Sequence, residues 1–158
     1  MKKTLIYPGT FDPFTLGHKD LVARATQLFD RVIIAVSNNR DKNTLFSVDE
    51  RIEMIKALFS DNPSITVETF SGLLVDFAKS KKAYTILRGL RSMADVDYEM
   101  EMANMNRMLL PELETIFLSP APAYAFISST LVKVVARSKG ELKAFVPGLV
   151  IERLKTKF

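Results

Sequence analysis

His18 is the only histidine in the chain, and it closes the run Tyr7-Pro8-Gly9-Thr10-Phe11-Asp12-Pro13-Phe14-Thr15-Leu16-Gly17-His18. Two glycines in this run let backbone approach a ligand closely, and two prolines stiffen the path between them. Thr15 reads as a helix N-cap, which puts the N–H groups of Gly17 and His18 at a helix start, where anions bind. The chemistry implied is phosphate handling around an imidazole; the competing reading is an ordinary turn with a satisfied histidine. A second candidate is Ile127-Ser128-Ser129-Thr130-Leu131-Val132-Lys133. Capping explains one hydroxyl at a helix start, whereas three in succession with Lys133 one turn on look like a polyphosphate cradle. Arg88 and Arg91 add forked donors that match phosphate.

Five short β-type runs must position these groups: Thr4 to Tyr7, Val32 to Ser37, Ile65 to Phe70, Tyr84 to Leu87 and Thr115 to Leu118. Between them the spacing is helical. Leu21, Val22, Ala25, Leu28 and Phe29 form one stripe, Val48, Ile52, Ile55 and Phe59 a second, and Leu73 to Lys79 a short third helix. Ser47-Val48-Asp49-Glu50 reads as a capping box that starts the second helix. The alternation predicts an α/β fold: a single domain over residues 1–158 with a doubly wound, five-stranded parallel sheet, helices on both faces. Ligands of such sheets bind outside the carboxyl ends of the strands. Each unusual segment falls there: Gly9 to His18, Arg40 to Lys42, Ser71 to Leu74, Arg88 to Arg91 and Tyr124 to Thr130.

Composition narrows the chemistry further. The chain has 158 residues, no cysteine and one histidine, which excludes disulfides, thiolate nucleophiles and multi-histidine metal sites. At 47% apolar and 25% charged it has the balance of a soluble globular domain. No apolar run approaches a membrane span, and Met1-Lys2-Lys3 is not followed by a signal-peptide core, so a cytoplasmic location and no membrane partner are expected. The net charge of +4 suits a protein that handles polyphosphates, but the basic residues are scattered, so nucleic acid is not expected as a partner.

The segment from Arg91 to Leu110 carries two apolar faces. At about 100° per residue, Met93, Val96, Met100 and Ala103 fall on one side, and Tyr98, Met102, Met105 and Leu109 on nearly the opposite one. The second face predicts cover by another subunit, hence an oligomer; burial within one subunit is the alternative. Between the faces Asp95, Glu99 and Asn106 form a narrow polar strip directed toward the strand ends. The loop Ser119 to Phe126 is expected to be too proline-stiffened to be helical, Gly140 to end the next helix, and Pro147-Gly148 to introduce a last one through Val150, Ile151 and Leu154.

Neither the dinucleotide fingerprint nor a Walker A sequence is present. What remains is Thr15-Leu16-Gly17-His18 paired with Ile127-Ser128-Ser129-Thr130, which resembles the signature of the nucleotidyltransferase superfamily. The match narrows with Gly9-Thr10-Phe11-Asp12-Pro13, Arg88-Gly89-Leu90-Arg91, Asp95, Tyr98-Glu99-Met100, Asn104-Met105-Asn106-Arg107, Pro111-Glu112-Leu113-Glu114 and Phe126 to Lys133. Together these resemble the bacterial phosphopantetheine adenylyltransferases over essentially the whole chain.

That resemblance implies a Rossmann-like nucleotidyltransferase fold and adenylyl transfer from ATP to 4′-phosphopantetheine, giving dephospho-coenzyme A and pyrophosphate. It implies catalytic roles for His18, Thr10 and Lys42, with His18 on the ATP α-phosphate. For ATP it implies Thr10, Phe11, His18, Gly89, Leu90, Arg91, Glu99, Tyr124, Ala125, Phe126, Ile127, Ser128, Ser129 and Thr130. For phosphopantetheine it implies Thr10, Lys42, Leu74, Arg88 and Asn106, with Leu73 nearby. It further implies Mg²⁺ held mainly by substrate and water, a homohexamer, and coenzyme A as a candidate feedback ligand. Family members often carry tryptophan where this chain has Tyr124, and aspartate where it has Gly72. A nicotinate- or nicotinamide-mononucleotide adenylyltransferase, a cytidylyltransferase, and a non-catalytic nucleotide sensor on the same scaffold are the alternatives.

Overall fold

The structure is a computed structural model that describes residues 2–39 and 43–158. Strands and helices alternate as β1 (Thr4–Gly9), α1 (Leu16–Leu28), β2 (Arg31–Ser37), α2 (Val48–Leu58), β3 (Ile65–Phe70), α3 (Leu74–Lys81), β4 (Thr85–Gly89), α4 (Met93–Leu109), β5 (Glu114–Leu118), α5 (Ser129–Arg137) and α6 (Gly148–Lys155). All five strands are parallel and lie in the order β3-β2-β1-β4-β5. The order reverses between β1 and β4, which is the doubly wound arrangement expected and opens a crevice beyond those two strand ends.

Both sheet faces are covered, so the central strands are almost continuously apolar. Leu5, Tyr7, Val32, Ile34 and Val36 pack with Leu21, Val22 and Ala25 of α1 and Ile55 of α2. Their neighbours Ile6, Ile33, Ala35 and Ile86 point the other way, onto Val75 and Ala78 of α3. A third cluster, including Phe46, Met54, Val132, Val150 and Leu154, joins α5 and α6 to the end of α2. Each fully buried Leu or Ile contributes about 1.5–3 kcal/mol relative to exposure.

Helix ends follow local chemistry. α2 starts in the expected capping box, Glu50 N–H donating to Ser47 Oγ (3.2 Å) and Ser47 N–H to Glu50 Oε2 (2.8 Å). α5 ends in a Schellman turn, with Gly140 N–H on the Val135 carbonyl and Lys139 N–H on that of Ala136. The left-handed residue there is Lys139 (φ 56°), not Gly140. Gly140 is required for a different reason: a Cβ on it would lie 2.7 Å from Val135.

The sequence reading is corrected at three places. β1 and β4 run to Gly9 and Gly89, beyond their apolar runs, so Arg88 is a strand residue. The proline-rich loop after β5 contains one 3₁₀ turn, Pro122–Tyr124, because proline is tolerated at the first position of a helical turn, where no N–H is needed. The third concerns α4, whose only buried residue is Glu99. Asp95 and Asn106 are half-buried, whereas Met93, Tyr98 and Met105 are 82%, 61% and 59% exposed. The polar strip turns toward the sheet with Val96 and Ala103 of the first apolar set half-buried beside it, while Met93, Met100 and the whole second set are open in the single chain.

Candidate nucleotide site

A cleft of about 550 Å³ lies at the switch point between β1 and β4. Its walls come from the loop after β1, the ends of β4 and the loop beyond it, the buried side of α4, and the starts of α1 and α5.

His18 is placed by the cap of α1. Thr15 is the N-cap, and its Oγ1 accepts from His18 N–H at 3.3 Å. Reciprocally, Thr15 N–H donates to His18 Nδ1 at 3.0 Å. The pair is a capping box in which an imidazole stands where Glu or Gln is usual. With Nδ1 accepting, the ring proton sits on Nε2, so the side chain presents a neutral donor to the cleft it lines. The ring is packed by Phe11, Phe14 and Tyr7 at centroid distances of 5.0, 5.3 and 6.3 Å. This burial, aided by the charges of Arg91 and Arg88, lowers the His18 pKa from 6.5 to about 3. Burial likewise pushes the Tyr7 phenol well up, against the opposing pull of Arg88 and Arg91.

Phe11 holds a left-handed conformation (φ 52°), and a Cβ on Gly9 would come within 2.7 Å of its ring. Glycine at position 9 therefore lets the aromatic wall behind His18 close. Asp12, almost wholly buried, accepts from Leu45 and Phe46 N–H (2.8 and 2.9 Å) and from Lys133 Nζ (3.0 Å). It ties the loop before α2 and the body of α5 to the end of β1.

Arg88 grips Glu99 with a two-pronged bond, Nε to Oε2 at 2.8 Å and Nη2 to Oε1 at 2.7 Å, while Nη1 donates to the Pro8 carbonyl at 3.0 Å. Burial alone would lower the Arg88 pKa; the bonds and charge of Glu99 outweigh it and raise it. Arg91 donates from Nη1 to the Ile127 carbonyl (3.0 Å) and lies 3.7 Å from Asp95. The cations Arg88, Arg91 and Lys133 thus face the carboxylates Glu99, Asp95 and Asp12 one to one.

At α5, Ser128 is the N-cap and accepts from Leu131 N–H (3.1 Å), and Ser129 Oγ donates to the Pro13 carbonyl (2.8 Å). Two of the three hydroxyls therefore have structural partners, one more than capping alone explains. Thr130 is exposed and lines the cleft. The N-termini of α1 and α5 converge on the same cavity, and the partial positive charge of both favours an anion there.

Of the residues singled out from sequence, Thr10, Phe11, His18, Arg88, Gly89, Arg91, Glu99, Tyr124, Ile127, Ser128, Ser129 and Thr130 line this one cleft. Leu90, Ala125 and Phe126 flank it without lining it; Leu90 N–H bonds to Leu118, and Phe126 is 61% exposed and packs on Phe145. Leu74 begins α3 and Asn106 lies near the end of α4, both outside the lining. Lys42 lies outside the described residues. Gly72 adopts φ +76° with open space around it, so backbone conformation accounts for glycine there. Sequence reasoning missed Asp12 as an anchor and Arg51, described below. Among the described residues no group of three or more His, Asp or Glu is arranged to hold a metal, and the carboxylates of the cleft are each engaged by a cation.

The chain matches the cytidylyltransferase-like family model over residues 6–135. It is 49% identical over 154 residues to a phosphopantetheine adenylyltransferase of Thiobacillus denitrificans, covering 98% of this chain and 96% of that one. A phosphopantetheine adenylyltransferase of Methylococcus capsulatus is 49% identical over 158 residues, 100% of this chain and 98% of the relative. One from Acidovorax sp. is 52% identical over 149 residues, 94% and 90% respectively. Among solved structures, a Plasmodium falciparum nicotinic acid mononucleotide adenylyltransferase superposes with TM-score 0.71 at 16% identity, covering 99% of this chain and 96% of that one. A bifunctional NMN adenylyltransferase/ADP ribose pyrophosphatase from Francisella tularensis gives 0.75 at 16% identity, covering 99% of this chain and 49% of that one. At that identity these two speak to the fold alone.

Proposed function

Since the chain belongs to the phosphopantetheine adenylyltransferase family of cytidylyltransferase-like nucleotidyltransferases, we propose that it transfers the adenylyl group of ATP to 4′-phosphopantetheine. A terminal phosphate oxygen of phosphopantetheine attacks the α-phosphorus in line, the bond from that phosphorus to the β-phosphate oxygen breaks, and dephospho-coenzyme A and pyrophosphate form. This is the penultimate step of coenzyme A synthesis. No covalent enzyme intermediate is involved.

The observation that carries the reading is the His18 cap. An imidazole whose Nδ1 is occupied by Thr15 N–H, and whose pKa is about 3, is a poor general base and a well-placed hydrogen-bond donor. Adenylyl transfer to a phosphate needs that combination, because a phosphate dianion is already deprotonated near neutral pH. What remains is to align two anions and stabilise charge growing on the α-phosphate oxygens. In this reading His18 Nε2–H meets that charge, and Thr10 and Lys42 hold the incoming phosphate. Arg88 faces phosphopantetheine, Arg91 and Gly89 face ATP, and the Ser128 to Thr130 helix start takes the β- and γ-phosphates. Glu99 and Tyr124 border the nucleotide, and Leu74 and Asn106 meet the pantetheine arm. Among the described residues no group of three or more His, Asp or Glu is arranged to hold a metal, so in this reading Mg²⁺ is carried by the ATP phosphates and water.

The open apolar sets of α4 support assembly of several copies, and we assign a homohexamer. Among the described residues no helix is long and apolar enough to cross a membrane. A cytoplasmic location and feedback by coenzyme A belong to the same proposal. The test is pyrophosphate release from ATP and Mg²⁺ with each acceptor. Release is expected with phosphopantetheine, and His18→Ala should cut turnover by about 100- to 1,000-fold while leaving the fold intact. Release with nicotinamide mononucleotide but not phosphopantetheine would overturn the assignment, and ATP binding without turnover would identify a sensor.

A further inference from the structure

Arg51 sits in the first turn of α2, where an arginine after a capping box reads as a solvent-facing residue, yet it is 3% exposed. Among the described residues its guanidinium has no carboxylate as a hydrogen-bond acceptor. Nε donates to the carbonyls of Phe46 (3.2 Å) and Ser47 (3.3 Å), and Nη1 donates to those of Thr10 (2.7 Å) and Ser37 (3.0 Å). Asp12 offsets part of this burial through its charge. Among the described residues, however, every hydrogen bond of the guanidinium goes to a backbone carbonyl, a costly arrangement unless the placement of those carbonyls matters.

Those carbonyls are informative in position. β1 and β2 are paired from Thr4↔Arg31 to Gly9↔Val36. Thr10 and Ser37 are the next residues in register, and Nη1 bridges their carbonyls where the ladder stops. Ser37 also begins the connection from β2 to α2, and Phe46 and Ser47 end it. One side chain therefore ties the end of β2 and the residues leading into α2 to Thr10, which lines the cleft. Asp12 fastens the residues leading into α2 as well, through Leu45 and Phe46 N–H.

We propose that Arg51 is a positioning residue for adenylyl transfer, acting through Thr10, which it holds against the end of β2 and the start of α2, without itself touching substrate. The proposal rests on the reaction assigned above, and its test separates the two. In Arg51→Lys, hydrogen exchange of peptides covering residues 8–12 and 37–47 should quicken by about tenfold while α1 and β5 are unchanged. Turnover should fall by about 10- to 100-fold, as expected for a sub-ångström to ångström misplacement, with the KM for ATP within about threefold of the parent. In a Thr10→Ala background the same substitution should cost less than about threefold, because residues acting as one unit are not additive. Unchanged local exchange, turnover within about twofold of the parent, or a loss undiminished by Thr10→Ala would overturn the proposal. Absence of pyrophosphate release by the unsubstituted protein would refute the reaction, and the exchange result would still judge the clamp. If Arg51→Lys does not fold, the same measurements are made on Arg51→Gln; failure of both to fold makes Arg51 a folding residue and overturns a positioning role.

Discussion

His18→Gln separates the two jobs of the histidine. Glutamine is a usual N3 partner in a capping box, so it can still receive Thr15 N–H and keep α1 started, but it cannot titrate. In the folded chain the His18 pKa is about 3, against 6.5 for the unperturbed group. As pH falls below about 6.5 the unfolded chain takes up a proton that the folded chain refuses, so stability is lost progressively until about pH 3 and is unaffected above about 7. Each pH unit in that window costs about 1.4 kcal/mol. Between about pH 7.5 and pH 5 the loss from this one group is thus about 2 kcal/mol, an upper figure because the ring is only half-buried by surface area. His18 is the sole histidine, so no other imidazole shares the window. Urea unfolding of both proteins at the two pH values, at one fixed protein concentration, reads the difference directly. The native histidine protein should lose about 1–2 kcal/mol more than His18→Gln on acidification. Losses equal within about 0.5 kcal/mol would show that the imidazole is not held neutral by its surroundings, and the donor assignment would fall with it.

Three further outcomes follow from the same geometry. Glu99→Gln leaves the Arg88 charge facing an amide and should destabilise the fold by about 1–3 kcal/mol in urea; an unchanged midpoint would mean the two-pronged bond is not formed in solution. Gly9→Ala drives a methyl against the Phe11 ring, and should cost about 1–3 kcal/mol and lower turnover per folded molecule, whereas wild-type values of both would refute the close-approach argument. Met105→Glu places a charge on the exposed side of α4 and should shift light-scattering mass toward the monomer; a native protein already monomeric at micromolar concentration would refute assembly through this helix.

The element order was readable from sequence because buried parallel strands are apolar runs and the helices between them carry clear stripes. Readability failed where residues answer to the ligand-facing edge instead of the core. Gly9, Arg88 and Gly89 continue their strands although none is a strand former, since at the carboxyl end of the sheet the backbone keeps pairing while side chains turn to the cleft. Arg51 looks like a surface residue by spacing, and only the three-dimensional meeting of two strand ends reveals its acceptors. In α4 the wheel located the polar strip and the open second face correctly, yet it gave no sign that Glu99, and not the first apolar face, would be the most buried residue. A charged partner on β4 decides the matter, and hydropathy carries no record of partners. The candidate cleft itself was legible in outline, through loops that share one edge of the sheet. Which of the three serine and threonine hydroxyls serve structure was not, because Ser129 is satisfied by Pro13, far away in sequence.

The one-to-one pairing of charges in the cleft changes what binding must mean there. A cleft of bare cations would draw in polyphosphates over long range and lose them steeply as salt rises. Among the described residues, Arg88, Arg91 and Lys133 each already face a carboxylate, so a phosphate arriving at one of them competes with an oxyanion of lower charge. A monoanion gains little from such a substitution, while a dianion gains a full unit of charge at each guanidinium it reaches. At these three cations the resting pairing therefore favours the more highly ionised phosphate.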